Sequence, residues 1–492
     1  MLFINSVSAW AKQLPEREGN KNVMTDLASR RDFLKALALG AAAVAFPRPT
    51  SVAQPPVGRK PNVVIALCDD LGYGDLGCFG HPHIKTPNLD LLATEGMRLT
   101  DCYAAAPVCS PARAGMLTGR TPYRCGIYDW IPKNAPMHLR RQEITIATLL
   151  RNAGYTTCHV GKWHCNGKFN SPDQPQPSDH GFDYWFSTQN NAGPTHHNPD
   201  NFVRNGKPVG LLNGYSSELI VDEAIHWLRN RWDIVRPFCM FVWFHAPHEP
   251  IATGDEFMRM YEGRKEAVYY GNVSQMDHAV GRLMQALDEM HLRDDTFVMF
   301  TSDNGPETLK RYPGAHRSFG SPGPLRGMKL HMYEGGIRVP GIIRWPGPAR
   351  AGAVCHEPVN GADILPTLCA MASVSVPKDR VIDGASILPI LEGQSVGREV
   401  PLYWRYDKAL SRPYTVAMRQ GDWKILADTN MTRFELYNLR DDLGETKDRA
   451  ESEPGRLEAM KETLIELHQQ IDVEGIKWPI PKRRKKATSK RP

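Results

Sequence analysis

The passage Cys109-Ser110-Pro111-Ala112-Arg113, followed by Leu117-Thr118-Gly119-Arg120, sets a thiol, a helix-compatible proline and an arginine around one reactive atom. Proline is tolerated at the first position of a helix because its missing N–H has no partner there. Cys109 is therefore predicted at a helix N-terminus, where free N–H groups and the dipole favour negative charge. By itself this predicts a low-pKa, nucleophilic thiol. A buried structural cysteine is the alternative, since free cysteine is among the most buried residue types. Two further stretches, Asp69-Asp70 and Asp303-Asn304, offer three carboxylates and an amide oxygen. Oxygen-only donors suit Ca²⁺ or Mg²⁺ rather than zinc. Adjacent acids in a loop are usually solvated, but both pairs close apolar runs, and acids brought together without a cation repel. Arg113, Lys162, His164, His248 and Lys329 supply positive or proton-donating groups. Singly each has a plain alternative, such as a snorkelling lysine or a loop histidine. Gathered around a cation they would bind a tetrahedral oxyanion and stabilise charge on its leaving oxygen.

The elements that must position these residues are legible from pattern. Asn62 to Cys68 is a continuous, largely β-branched run suited to a buried parallel strand, and it stops at Asp69-Asp70-Leu71-Gly72. Helix-like Ile144 to Asn152 precedes strand-like Thr156 to Val160, closed by Gly161-Lys162-Trp163-His164. Pro237 to Phe244 ends in His245-Ala246-Pro247-His248, and an amphipathic helix from about Tyr269 to Met290 leads into Thr296 to Phe300, then Thr301-Ser302-Asp303-Asn304-Gly305. Four apolar strands thus each end in a polar cluster. Open α/β sheets bind ligands beyond the carboxyl ends of their strands. The predicted fold is therefore α/β, a large and mostly parallel sheet flanked by helices. Past about residue 380 the texture changes to short strands (Val400 to Tyr406, Thr415 to Met418, Trp423 to Ala427, Phe434 to Leu439) and a helix over Gly455 to Val473. This predicts a smaller C-terminal α+β domain.

The boundaries expected are 1–53 for a signal and linker, 54–380 for the catalytic domain, 381–475 for the C-terminal subdomain and 476–492 for a basic tail. A chain of 492 residues has room for both domains. Its formal charge of +6 sits at the ends: residues 1–53 carry +3, residues 482–492 carry seven Lys/Arg and no acid, and residues 54–481 are left at −4. The basic pI is no argument for nucleic-acid binding, and no nucleic-acid partner is expected. Ser29-Arg30-Arg31-Asp32-Phe33-Leu34-Lys35 precedes the apolar run Ala36 to Phe46. That run is too short to span a bilayer, so no stable membrane insertion is expected. It has the length of a signal-peptide core, and the paired arginines resemble a bacterial twin-arginine signal. Export by the twin-arginine machinery to the periplasm or medium follows as the expected localisation, with folding in a reducing compartment and few or no disulfides among ten cysteines. The tail is expected to be disordered.

The chain resembles the type I sulfatases of the alkaline-phosphatase superfamily, nearest to the arylsulfatase A and N-acetylgalactosamine-6-sulfatase group. The cysteine passage carries the resemblance together with Cys68 to Asp75, Gly161 to His164, Ala246-Pro247-His248, Ser302 to Gly305, Leu325 to Lys329, Tyr333 to Pro340 and Asp363 to Thr367. The resemblance implies a sulfuric ester hydrolase in which a maturation enzyme oxidises Cys109 to Cα-formylglycine. The hydrated aldehyde attacks sulfur, forms a covalent sulfate ester, and its second hydroxyl then expels sulfate. It implies Ca²⁺ held by Asp69, Asp70, Asp303, Asn304 and modified Cys109, with Arg113 and Lys162 on the diol. His164 is implied as the base for elimination, His248 and Lys329 as the grip on sulfate and leaving oxygen, and Asp303, besides its place on the metal, as an acceptor of the nucleophile's proton. Cys165-Asn166 departs from the Leu-Gly that commonly follows Gly-Lys-Trp-His, and Gln275 stands where the family often has His.

Two other functions remain open at this level. A phosphodiesterase or phosphonate monoester hydrolase would keep the fold and change the ester, and an unmodified Cys109 would leave a non-catalytic binder of sulfated glycans. The expected substrate is a sulfated carbohydrate or aryl sulfate. The polar stretch Asn190 to Asn198, punctuated by Gly193 and Pro194, is expected to line the sugar-facing side of the pocket.

Overall fold

The computed structural model describes residues 60–307 and 318–478. The predicted signal and linker, residues 1–53, and residues 479–492 of the basic tail lie outside these residues; the start of that tail is ordered, with Trp478 Nε1 donating to the Gly126 carbonyl at 2.6 Å. Strand β1 (Asn62–Asp69) is buried along its whole length. Its side chains alternate between two cores, as a pleated strand requires: Val63, Ile65 and Leu67 join one cluster, and Val64, Ala66 and Cys68 the other. Helix α1 (Cys109–Thr118) places Ala112, Ala114, Met116 and Leu117 in the first cluster. The second cluster is built from strand β2 (Thr156–Lys162), strand β3 (Tyr184–Thr188), strand β4 (Phe238–Pro247) and helix α2 (Ala267–Glu289). On α2, Val273, Met276, Val280, Leu283 and Leu287 recur at helical spacing and are all buried.

Strand β5 (Thr296–Ser302) pairs with β1, and the central order β5-β1-β4-β2-β3 is parallel throughout. The full sheet has ten strands. Beyond β5 come antiparallel β6 (Gly341–Arg344) and the short strands Met97–Leu99 and Ala353–Cys355. Beyond β3 lie the short antiparallel strands Val203–Arg204 and Lys207–Pro208. The carboxyl ends of β1, β2, β4 and β5 therefore meet at one edge. Near that edge β2 and β4 approach so closely that a Cβ on Gly161, at φ +104°, would lie 1.8 Å from the Trp243 carbonyl oxygen. Only glycine fits there.

The C-terminal sheet is an antiparallel meander of β7 (Leu402–Arg405), β8 (Val416–Gln420), β9 (Trp423–Ala427) and β10 (Phe434–Asn438). Helix α3 (Pro454–Glu474) covers one face through Met460, Leu464, Leu467 and Ile471. The other face sets Trp404, Ala417, Leu426 and Tyr437 against Tyr103, Val108, Cys109 and Met332. The small domain is thus the floor beneath the signature cysteine. No described helix is long and apolar enough to cross a membrane, and all ten cysteines are free thiols.

Candidate active site

Helix α1 begins at Cys109, with Val108 as its extended N-cap, so Pro111 occupies the third helical position rather than the first. The reason is general: the first four N–H groups of a helix lack intrahelical partners, and a proline anywhere in that turn removes no bond. The low-pKa thiol expected from the helix terminus is not found. Burial pushes Cys109 up to about 11 and outweighs the pull of Lys162 and Lys329, while Asp69 and Asp303 push the same way as burial. An unmodified thiol here is a poor thiolate.

Around Cys109 the structure gathers side chains from every strand end named in the sequence. Atoms of Asp69, Cys109 and Asp303 lie within 4.8 Å of one another, as do those of Asp69, Asp70 and His248. Lys162, at the end of β2, donates to Asp69 Oδ2 at 2.5 Å. Arg113 donates from Nε and Nη2 to Asp303 Oδ2 (2.9 and 2.7 Å) and from Nη1 to the Lys162 carbonyl (2.8 Å). Lys329 Nζ lies 2.6 Å from Asp70 Oδ1 and 2.7 Å from Oδ2. His248 Nε2 is 3.5 Å from Asp70 Oδ2. Asp70 and His164 hold left-handed backbone at φ +67° and +50°. Strain of this kind costs ~1–3 kcal/mol per residue and collects at functional sites.

The electrostatics follow from burial and packing. Burial alone would raise Asp69, but Lys162, then His248 and Arg113, hold it well below the usual carboxylate range. Asp303 is raised, by burial first and then by Asp69 beside it. Lys329 is held well above its usual value by Asp70, against burial. His164 is held low by burial, with Lys162 and Arg113 adding to it. Its Nε2 lies 3.1 Å from the Ile131 carbonyl, and Nδ1 is buried with no hydrogen-bond partner. A proton on Nε2 leaves the Nδ1 lone pair available as a base.

Asn304 Nδ2 donates to Asp70 Oδ1 at 2.7 Å, while Asn304 Oδ1 and Asp69 Oδ1 are buried and accept no hydrogen bond. Buried orphan oxygens are uncommon. Facing further carboxylates, they are the donor set a hard divalent cation takes.

Two residues near this cluster, Glu307 and Asp75, carry no role in the sequence reading, and a third, Asn191, belongs to the stretch expected to face the sugar. Glu307 Oε2 is 3.6 Å from Lys329 Nζ. Asn191 Oδ1 is 3.5 Å from Lys162 Nζ, and its Nδ2 donates to the Glu249 carbonyl at 2.8 Å. Asp75 accepts from Gly72 N (2.7 Å), Tyr269 Oη (2.8 Å) and Ser321 N (2.8 Å), bracing the Asp69–Asp70 turn. The signal for Glu307 was its place four residues after Asp303, and for Asp75 its place five after Asp70. A cavity of ≈ 930 Å³ is lined by Arg338 and Arg419, whose charges Asp101 already meets at 2.7 Å.

A mostly parallel sheet with oxygen donors, cations and a buried cysteine at its carboxyl edge defines a hydrolase of the alkaline-phosphatase-like superfamily. A sulfatase family model matches residues 61–374, and the model for the C-terminal region of N-sulphoglucosamine sulphohydrolase matches residues 328–472. The chain belongs to the sulfatase family and is a sulfuric ester hydrolase. It is 35% identical over 382 residues to N-acetylgalactosamine-6-sulfatase of Canis lupus familiaris, covering 72% of this chain and 70% of that one. It is 33% identical over 473 residues to arylsulfatase A of Homo sapiens, covering 85% and 89%. Among solved structures, Ps i-CgsB in complex with k-i-k-neocarrahexaose superposes with a TM-score of 0.75 at 27% identity, covering 85% of this chain and 94% of that one.

Proposed function

We propose that this chain releases sulfate from a sulfated carbohydrate, using formylglycine made from Cys109 and a Ca²⁺ ion held by Asp69, Asp70, Asp303, Asn304 and residue 109. The observation that carries the reading is the meeting of those oxygen donors with Cys109 inside a ring of Arg113, Lys162 and Lys329. Hydrated formylglycine supplies a hydroxyl to attack sulfur and a second hydroxyl for the release of sulfate. The cation supplies positive charge that favours the ionised hydroxyl.

The rest falls to the chain's own groups. Arg113, fixed between Asp303 and the Lys162 carbonyl, and Lys162 hold the hydroxyls of residue 109 in place. Asp303, held beside residue 109 by Arg113, accepts the proton of the attacking hydroxyl. Lys329 and His248 bind the sulfate oxygens and neutralise charge on the leaving oxygen. His164, through Nδ1, takes the proton whose loss releases sulfate. The sugar is proposed from the relatives, whose names include N-acetylgalactosamine-6-sulfatase, and from the neocarrahexaose complex. Residues 54–380 form the proposed catalytic domain and 381–475 the C-terminal subdomain. The reading requires two partners, a formylglycine-generating maturation enzyme and the twin-arginine export machinery, which places the enzyme in the periplasm or medium.

Mass spectrometry of the Cys109 peptide and turnover of an aryl sulfate beside its phosphate twin test this reading. The expected result is an aldehyde at position 109, preference for the sulfate, and no turnover by a folded Cys109→Ala variant. Substantial activity in Cys109→Ala would overturn the mechanism, and preference for the phosphate would overturn the ester assignment.

A further inference from the structure

We infer that a second cavity, beside His164, is a subsite for an anionic sugar next to the one that loses sulfate, so that the enzyme acts on an acidic oligosaccharide rather than on single sulfated sugars. The inference rests on the carbohydrate reading above and extends it.

The cavity, ≈ 240 Å³, is lined by Lys133, Asn134, Gly167, Lys168, Phe169 and Gln189 among others. It is linked to the reacting centre through Gln189, whose carbonyl accepts from His164 N at 2.8 Å, and through Ile131. Ile131 N donates to the hydroxyl of Ser110, the neighbour of Cys109, at 3.1 Å. The Ile131 carbonyl faces both His164 Nε2 and Gln189 Nε2, each at 3.1 Å. Lys133 is two residues further on, and an extended chain advances about 3.3–3.6 Å per residue. Lys133 thus stands about 7 Å of chain beyond Ile131.

The walls are built in advance. Gln174 Oε1 accepts from Gly167 N and Lys168 N (2.9 and 2.8 Å), while its Nε2 donates to the carbonyls of Ala135 and Pro136 (2.9 and 3.2 Å). Gln176 accepts from Asn170 N and donates to the carbonyls of Lys168, Ser171 and Gln174. Asn134 N donates to the Gly167 carbonyl at 2.7 Å, and the two loops pass so closely that a Cβ on Gly167 would lie 2.4 Å from the Ala135 carbonyl oxygen. Asn166, where the chain departs from the family pattern, ties the same loop through Nδ2 to the Pro175 carbonyl at 2.7 Å. Eight hydrogen bonds from two glutamines hold a short surface loop in one shape, which lowers the ordering cost of binding.

The chemistry of the lining selects the ligand. Phe169 is half-buried and fixed edge-on against Trp185, its ring centroid 5.5 Å away, which gives an apolar platform for the C–H face of a pyranose. Lys133 pairs with no acid among the described residues, and Lys168 meets only Asp173, at 2.8 Å, with both side chains exposed. An exposed pair of this kind is weak and yields to a competing anion. Two lysines against one aspartate leave net positive charge over an aromatic face, which fits a sugar bearing a carboxylate or a second sulfate.

The test uses the full chain carrying Cys109→Ala, so that binding is read by calorimetry without turnover. The probes are N-acetylgalactosamine 6-sulfate, a chondroitin 6-sulfate tetrasaccharide and neutral maltotetraose. The acidic tetrasaccharide is expected to bind at least tenfold more tightly than the monosaccharide, with the neutral chain not binding. Adding Lys133→Ala and Lys168→Ala should remove that tenfold advantage. In the mature enzyme the same two substitutions should leave aryl sulfate kcat/KM within twofold. Unsulfated chondroitin tetrasaccharide separates the two anions: lysine-dependent binding assigns the contact to the carboxylate, and its absence assigns it to sulfate. A tetrasaccharide that binds no better than the monosaccharide, or an advantage that survives loss of both lysines, overturns the subsite. Turnover of aryl sulfate with no sulfate released from either saccharide would strike the carbohydrate reading itself, whereas the binding results above strike the subsite alone.

Discussion

Lys424→Met is the perturbation that best tests how the C-terminal sheet supports the site. Lys424 on β9 is fully buried between Glu334 Oε1 at 2.9 Å and Glu445 Oε1 at 2.8 Å, and both acids are fully buried too. Glu334 has other support, from the Tyr103 hydroxyl at 2.6 Å and Arg338 Nη1 at 3.2 Å. Among the described residues, Glu445 keeps the backbone N–H of Glu334, at 2.7 Å, as its remaining side-chain donor. Removing one partner of a buried pair costs ~3–5 kcal/mol, because the remaining charge is left without compensation. Here most of that falls on Glu445, whose affinity for a proton is already raised by burial. Without Lys424 it rises further. A carboxyl whose folded pKa lies above its unfolded value stabilises fully below the unfolded value and loses that contribution as pH rises through the folded one. The variant should therefore lose ~3–5 kcal/mol at about pH 8, and the loss should shrink toward about pH 5 as Glu445 takes a proton. Urea unfolding at both pH values measures this, and Glu445→Gln placed on Lys424→Met should recover much of the loss at the higher pH. A loss below ~1 kcal/mol at about pH 8, the range of an exposed pair, or an equal loss at both pH values, would refute the reasoning. A linked readout is available: Arg326 Nη1 donates to the Glu445 carbonyl at 2.9 Å and begins the loop that carries Lys329, so aryl sulfate kcat/KM should fall in the same variant.

Asp75→Asn should destabilise by ~1–3 kcal/mol, since either amide orientation leaves an N–H of Gly72 or Ser321 without an acceptor. Burial pushes Asp75 up to about 7, so the wild-type carboxyl stabilises in acid and loses that contribution as pH rises through about 7. Unfolding midpoints of the two proteins should converge between about pH 5 and pH 8, and a gap that widens with pH would contradict this. Chelation should lower the melting temperature of the mature enzyme and added Ca²⁺ should restore it; an ion at a hundred times its Kd contributes about 2.7 kcal/mol. Asp303→Ala should show no such response, and a wild-type melting temperature indifferent to chelator would remove the cation from the reading.

Much of the site was legible because its residues sit where patterns break. Val63 to Cys68 is apolar without interruption, so Asp69 and Asp70 mark its end; Asp303 likewise follows a strand with the apolar stretch Phe297 to Phe300, and Lys162 closes the more mixed run from Thr156. Strand ends are set by local composition, and a parallel sheet brings like ends to one edge. What composition cannot carry is contact across that edge. Glu307, Asn191 and Asp75 act through neighbours remote in sequence, Lys329, Lys162 and Ser321 among them. The Cys109 thiol shows the same divide. A helix N-terminus is a local feature that favours a thiolate, whereas the burial that pushes Cys109 to about 11 is a property of the packed whole.

The sequence by itself determined the alternation of strands and helices, the identity of the charged groups and the edge on which they gather, because hydrophobic period and chain breaks are local. Only the tertiary structure decided which acid each cation meets. It also decided that the C-terminal sheet packs under Cys109, and that two glutamines shape a pocket beside His164. Those depend on distances between segments far apart in the chain, which are fixed only when the cores on both faces of the sheet close.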